Sequence, residues 1–359
     1  MKVRISKDRL IGDGEPCFIV AEMSANHNQD FNKAVEIVEA AARAGADAIK
    51  LQTYRSDTIT FNSHDEHFQV PRNSVWSGRT LYELYEEAYT PWEWQPEIKR
   101  VAESLGMFCF SSPFDQTAVD FLDDMGVPLF KIASFELIDL PLIRYAAQKG
   151  KPLFMSTGMA SFEEITEAVK EAESVDNTQI VLLKCVSSYP ARPEEMNLRT
   201  IPHLKETFQC PVGLSDHTLG HEVALAALAL GASVIEKHLT ISRDSGGPDS
   251  TFSMEPDEFS FMVRAIRSIE KALGKISYAP TEGELTNRRL RRSLVVVKDM
   301  NQGEQFTPDN LKSLRCSGGV MPKYFRGLLG MAASRDICAG TPLAWEHVKD
   351  AKKDGHKSI

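Results

Sequence analysis

The sequence predicts an α/β fold, a (β/α)8 TIM barrel followed by a small β-rich domain, and three observations carry that reading. Eight short apolar runs recur between Cys17 and about Gly274, most of them separated by amphipathic stretches. A parallel sheet covered by helices requires that alternation. The first run is followed by Ala21-Glu22-Met23-Ser24-Ala25-Asn26-His27-Asn28, with no glycine, whereas a doubly wound open sheet normally carries a Gly-rich turn there. After Gly274 the rhythm stops and shorter strand-and-turn patterns begin. Eight units in about 260 residues match the size of a barrel.

In order, the runs are CFIVAE, DAIKLQT, MFCFSS, PLFKIAS, KPLFMST, QIVLLKC, CPVGLSD and ASVIEKH. Between them lie stretches such as KAVEIVEAAARAGA, Lys33 to Ala46, and EEITEAVKEAE, Glu163 to Glu173, whose apolar residues recur with a helical period. Residues 54–90 break the pattern with an excursion containing His64, His67, Trp76 and LYELYEEAYTPWEW. An insertion of that size is usually a lid or an oligomer contact. Lys275 to Asn287 is polar and turn-rich. Beyond it, SLVVVKDMNQGEQF reads as two short strands around a turn, with further turn signals at Cys316-Ser317-Gly318-Gly319 and Ala339-Gly340-Thr341-Pro342. The expected organisation is a barrel over residues 1–275, a linker over 276–287 and a β-rich domain over 288–359 ending in a Lys-rich frayed tail.

Composition bounds the function. The 359 residues are 42% hydrophobic and 25% charged, enough to bury a sizeable core. With 41 Lys+Arg against 50 Asp+Glu the net charge is −9, which argues against a nucleic-acid partner. The six cysteines never approach CxxC spacing, so packed, reduced thiols are expected rather than disulfides or a zinc site. The start, MKVRISKDRLIGDGEP, lacks the apolar core of a signal peptide, and Val223 to Ile235 is too short to span a bilayer. No membrane partner and a cytoplasmic location are expected.

In a barrel the C-terminal ends of the strands face one shared pocket. Those ends are polar here: Glu22; Lys50 and Gln52; Ser111-Ser112; Lys131 with Ser134 and Glu136; Ser156-Thr157-Gly158; Ser187, Ser188 and Tyr189; Ser215-Asp216-His217; Glu236-Lys237-His238. Burying so many polar groups unpaired is costly, which favours a polar cavity. His217 and His238 end adjacent strands and suit a divalent transition metal with open positions; two hydrogen-bonded rim histidines are the alternative. Lys50 and Lys131, with Ser156 and Ser215, offer what a phosphate or carboxylate needs, while either lysine alone fits a structural ion pair equally well. Glu22, Glu136 and Asp249 are carboxylates available for proton transfer or hydroxyl binding. His27, His64 and His67 are weaker candidates. The stretch Ser242 to Asp249 is glycine-rich without Walker spacing, and no Ser-His-Asp order or nucleophile elbow is present.

Six ordered motifs, AEMSANHN, GADAIKLQT, FKIAS.E, MSTGM, GLSDHTLG and IEKHLT…GGPD, resemble those of the sialic acid (nonulosonate) synthases. The resemblance covers nearly the whole chain, and the part after about Ser293 is similar to the family's SAF domain, a fold like type III antifreeze protein. ANHN, LYELYEEAYTPWEW and GGPDS are most similar to the pseudaminic acid branch of the family. That resemblance implies condensation of phosphoenolpyruvate with an amino sugar, 2,4-diacetamido-2,4,6-trideoxy-L-altrose, giving a nine-carbon 2-keto acid and phosphate. The N-acetylneuraminate and legionaminate branches are the alternatives. By the same resemblance His217 and His238 would hold a divalent metal of the Mn²⁺ type, with Co²⁺ or Mg²⁺ as options. Lys50, Lys131, Ser134, Ser156 and Ser215 would match phosphoenolpyruvate-binding positions. Ser187 stands where other members have Asn. Glu22, Gln52, Glu136, Tyr189 and Asp249 would match metal-shell or sugar positions. Arg315 aligns with an arginine that in the family reaches across a domain-swapped homodimer to the partner's sugar, although Cys316-Ser317-Gly318-Gly319 replaces the usual Pro-Gly-containing turn. Two rival readings are a Schiff-base aldolase using Lys131 or Lys237 and a non-enzymatic carbohydrate- or ice-binding module.

Overall fold

A computed structural model describes residues 1–71 and 76–351. The chain divides into two compact units, Met1–Gly274 and a second beginning at Lys275.

In the first unit all eight runs form strands of one closed parallel barrel. They are β1 (Phe18–Glu22), β2 (Ala48–Thr53), β3 (Phe108–Pro113), β4 (Phe130–Ile132), β5 (Leu153–Ser156), β6 (Ile180–Cys185), β7 (Val212–Asp216) and β8 (Val234–His238). Neighbours pair in chain order, and β8 closes on β1 with His238 beside Glu22. The accompanying helices are α1 (Phe31–Ala44), α2 (Ser56–Ile59), α3 (Leu81–Ala88), α4 (Gln95–Ser104), α5 (Gln116–Asp124), α6 (Leu140–Gln148), α7 (Phe162–Glu173), α8 (Thr200–Phe208), α9 (Glu222–Ala229) and α10 (Pro256–Leu273).

Local sequence explains several of the helix boundaries. The Asp30 carboxylate accepts from the N–H groups of Asn32 and Lys33 and starts α1; Gly45, at φ 90°, ends it. Ala34, Ile37, Val38 and Ala41 form the buried face of α1 at helical spacing. Ser161 and Glu164 make a reciprocal cap that opens α7, and Thr80 with Glu83 does the same for α3.

Along the strands the inward positions change character. Phe18, Phe110 and Phe154 meet edge-on, with Phe18 and Phe110 centroids 6.3 and 5.8 Å from that of Phe154, and plug the barrel. On the same face of the same strands follow Glu22, Ser112 and Ser156. The apolar floor and polar mouth are therefore written into one alternation. Outward-facing Lys237 lies against Asp216 at 2.8 Å and donates to the Thr218 carbonyl, fully buried outside the barrel lumen.

The second unit has a separate core of Leu294, Val296, Met300, Phe306, Leu311 and Leu343 among others. Its strands β9 (Arg292–Val296) and β10 (Leu311–Arg315) are antiparallel, with Arg292 opposite Arg315. Two sequence expectations are corrected. SLVVVKDMNQGEQF does not hold both strands: the partner of β9 lies further on, and Gln305 makes only an isolated bridge to Ala332. Met300 and Phe306 are drawn into the core instead of alternating along a strand. Nor is 276–287 wholly turn-like. Thr281 and Glu284 cap a short helix, α11 (Glu282–Arg288), because their spacing forms a capping box. Every residue from 271 to 292 is exposed. The expected Lys-rich tail lies outside the described residues. Among the described residues no helix is long and apolar enough to cross a membrane.

Candidate active site

A cavity of about 970 Å³ opens at the C-terminal mouth of the barrel. Of the residues singled out from sequence, Lys50, Gln52, Lys131, Ser134, Glu136, Ser156, Ser187, Tyr189, Ser215, His217, His238 and Asp249 line it. Glu22 sits behind the lining, fully buried, 2.6 Å from the Lys50 ammonium. Arg315 belongs to the second unit, where it is exposed at the end of β10. Of the weaker histidines, His27 is buried against Thr90 and accepts from the Gln29 N–H, away from the cavity, while His64 and His67 are both exposed.

The hub of the site is Glu236, which sequence reading placed on the strand without a role. Its Oε1 accepts from Lys131 Nζ at 3.0 Å and Ser215 Oγ at 2.9 Å, and lies 3.1 Å from Lys50 Nζ. Strand pairing sets this geometry: Glu236 lies opposite Ser215 across β7 and β8, and Glu22 opposite Lys50 across β1 and β2. Burial would raise the Glu236 carboxyl, but the ammonium groups of Lys131 and Lys50 outweigh it and hold the group far below the usual range. Burial likewise opposes charge on Lys50, and Glu22 with Glu236 more than restores it. Lys131 is lowered by burial against a single carboxylate. Two ammonium groups thus share Glu236 at the mouth of a cavity. Beside them, Ser112 Oγ, Ser156 Oγ and Glu236 Oε2 are buried without a hydrogen-bond partner. Buried polar atoms are rarely left so, and a cluster of them aimed into one cavity is the signature of a polar ligand's seat.

A second sector holds the histidines. The His217 and His238 rings lie 5.3 Å apart between centroids. His217 Nδ1 donates to the Val186 carbonyl at 2.8 Å, so its Nε2 carries the free lone pair. His238 Nδ1 is buried and has no partner. No group of three His, Cys, Asp or Glu suited to a metal occurs among the described residues. Two imidazoles with spare lone pairs fit an open catalytic ion whose remaining positions fall to water or substrate, not a closed structural one. Tyr189 stacks 4.4 Å from His217 and 5.2 Å from Phe252, and the Trp76 indole N–H donates to the Pro248 carbonyl above them.

The third sector is Glu136, in the turn after β4. Burial raises its carboxyl to about 7, and its Oε2 is unpartnered. Next to it, the Gly158 N–H donates to Ser134 Oγ at 3.1 Å. A Cβ at Gly158 would fall 2.3 Å from Ser187 Oγ and 2.7 Å from Ser134 Oγ, so only glycine lets the two hydroxyls reach the mouth.

Besides Glu236, sequence reading missed Ser24 and Cys185. Ser24 hydrogen-bonds both Gln52, at 3.0 Å, and Asp249. Cys185 reads as one more packed thiol, yet it faces the cavity 3.8 Å from His217 Nδ1. Burial would raise it, and His217 draws it down to about 7. Glu236 had a signal, its place two residues before His238 on one strand face. Cys185 had none, since an apolar run conceals which way its last residue turns.

A closed βα barrel with a polar cavity at its mouth, joined to a small β unit, agrees with what known proteins show. The NeuB family matches residues 37–278 and the SAF domain matches residues 291–349, and the chain belongs to the NeuB family. It is 45% identical over 326 residues to a pseudaminic acid synthase of Campylobacter jejuni subsp. jejuni, covering 91% of this chain and 95% of that protein. To a pseudaminic acid synthase of Helicobacter pylori it is 43% identical, covering 93% and 98%. The crystal structure of the N-acetylneuraminic acid synthetase of Leptospira borgpetersenii in complex with citrate is 33% identical, with a TM-score of 0.72 over 80% of this chain and 95% of that one.

Proposed function

We propose that this chain is a pseudaminic acid synthase, joining phosphoenolpyruvate to 2,4-diacetamido-2,4,6-trideoxy-L-altrose to give a nine-carbon 2-keto acid and phosphate. The observation that carries the reading is one cavity holding two ammonium groups, orphaned serine hydroxyls and two neighbouring imidazoles with spare lone pairs. The greater identity to the two pseudaminic acid synthases than to the neuraminic acid synthetase supports the choice of sugar.

In this mechanism Lys50 and Lys131, with Ser156 and Ser215, bind the phosphate and carboxylate of phosphoenolpyruvate. His217 and His238 would hold a divalent ion, Mn²⁺ being the first choice, which supplies Lewis-acid polarisation of an aldehyde oxygen. The alkene carbon attacks the aldehyde carbon, its π pair forming the C–C bond, and the aldehyde oxygen takes a proton from solvent, which the attacking water later gives back. Positive charge then develops at the phosphate-bearing carbon. Water adds to that carbon, and Glu136, which lines the cavity, takes its proton, a task suited to a carboxyl lifted to about 7. The adduct collapses with C–O cleavage, releasing phosphate. Gln52, Ser24, Asp249 and Tyr189 bind sugar hydroxyls. Outward-facing Lys237, held by Asp216, offers no amine to a Schiff base.

The chain is further proposed to act in the cytoplasm as a domain-swapped homodimer, in which exposed Arg315 meets the partner's sugar. Phosphate release from phosphoenolpyruvate, followed with and without the diacetamido sugar and Mn²⁺, tests the whole reading. Release should need all three, and His217→Ala or His238→Ala should abolish turnover and metal binding together. Full turnover in chelator would refute the histidine assignment.

A further inference from the structure

The mouth of the cavity is not polar throughout. Helix α3, from the insertion between β2 and α4, turns Leu81, Leu84, Tyr85 and Ala88 into the cavity. These stand at i, i+3, i+4 and i+7, a single helix face. Such a stripe normally packs on protein core; here it lines open space, with Ile59 of α2 and Val70 beside it. Tyr54 braces this wall, its ring 5.5 Å from that of Tyr85 and 5.1 Å from that of Phe114. Phosphoenolpyruvate, an anion, has nothing to place against aliphatic side chains, and its binding groups are the lysines and serines below.

We infer that the α3 stripe, with Ile59 and Val70, forms an apolar subsite for the C4 acetamido methyl and the C6 methyl of the sugar, and so selects deoxy, bis-acylated sugars over polyhydroxylated ones. This rests on the proposed function. The C1 aldehyde must meet phosphoenolpyruvate beside the two imidazoles for the C–C bond to form. The far end of the six-carbon chain is then the end that reaches toward the mouth. There a methyl or acetyl group releases water from the α3 stripe, whereas a hydroxyl loses hydration without a partner.

The test compares kcat/KM for 2,4-diacetamido-2,4,6-trideoxy-L-altrose and for N-acetylmannosamine, which has hydroxyls at C4 and C6. Full-length protein, Leu81→Asn, Ala88→Asn and, on the exposed face of the same helix, Glu86→Ala are measured together. The unaltered protein should prefer the diacetamido sugar. Each Asn variant should lose roughly tenfold or more of that kcat/KM through the sugar KM, with the KM for phosphoenolpyruvate within twofold and Tm unchanged. Glu86→Ala should behave as the unaltered protein. If the protein turns over the diacetamido sugar but the Asn variants keep its preference, or lose both sugars and phosphoenolpyruvate binding alike, the subsite is wrong and the synthase reading stands. If neither sugar releases phosphate, the synthase reading falls and the subsite falls with it.

Discussion

Glu136 shows how one side chain couples stability to chemistry. Its ordinary value is 4.5, and burial in the cavity wall raises it to about 7. Below pH 4.5 the folded and unfolded chains both carry the proton, and the site costs nothing on this account. Between pH 4.5 and about 7 the unfolded chain ionises while the folded chain keeps its proton in a poorly solvated wall, so stability is lost across that window and the loss is complete above it. Glu136→Gln should therefore leave Tm unchanged at pH 4.5 and raise it at about pH 8, while lowering kcat roughly a hundredfold or more. Thermal melts at both pH values and a steady-state assay check this, and an equal Tm shift at both would count against the buried carboxyl. The candidate residues were mostly legible, because strand ends in a barrel converge whatever the loops do: twelve of the residues read from sequence line one cavity. Glu236 shows the limit. Its position was plain, but its role as the acceptor shared by Lys50, Lys131 and Ser215 depends on the register of four strands.

At the scale of the element, β7 carries Gly213 where β8 passes very close. A Cβ there would stand 2.6 Å from both the Cβ and the carbonyl oxygen of Val234, and 2.7 Å from Leu183 on the other side. Neither backbone can yield without opening the barrel seam. Gly213→Ala should cost about 2 kcal/mol or more, read as a lower midpoint in a urea melt. Because His217 and His238 end these two strands, the same change should weaken metal binding; an unaltered midpoint would show that the seam can relax. Strands and most helices were readable because periodicity and caps are local properties, as at Asp30, Ser161 and Gly45. The second strand of SLVVVKDMNQGEQF failed because pairing in a small irregular domain is settled by distant partners: β9 waits for Leu311–Arg315.

For the whole molecule, the two hydrophobic cores share no residue, and the stretch joining them is exposed from 271 to 292. That stretch contains Lys271, Lys275, Arg288, Arg289, Arg291 and Arg292. Brief trypsin treatment should cut there first and leave two resistant fragments, one with the barrel and one with the β-rich unit. Mass spectrometry of the fragments checks it, and first cuts inside α4 or β10 would contradict the division.

Sequence alone determined the architecture and most of the cavity lining, since hydrophobic period, capping chemistry and the polar ends of eight apolar runs are readable residue by residue. Only the tertiary structure decided who partners whom. The sharing of Glu236, the turn of Cys185 toward His217, and the use of the α3 stripe as a cavity wall instead of core all depend on distances between segments far apart in the chain. No local period encodes those distances.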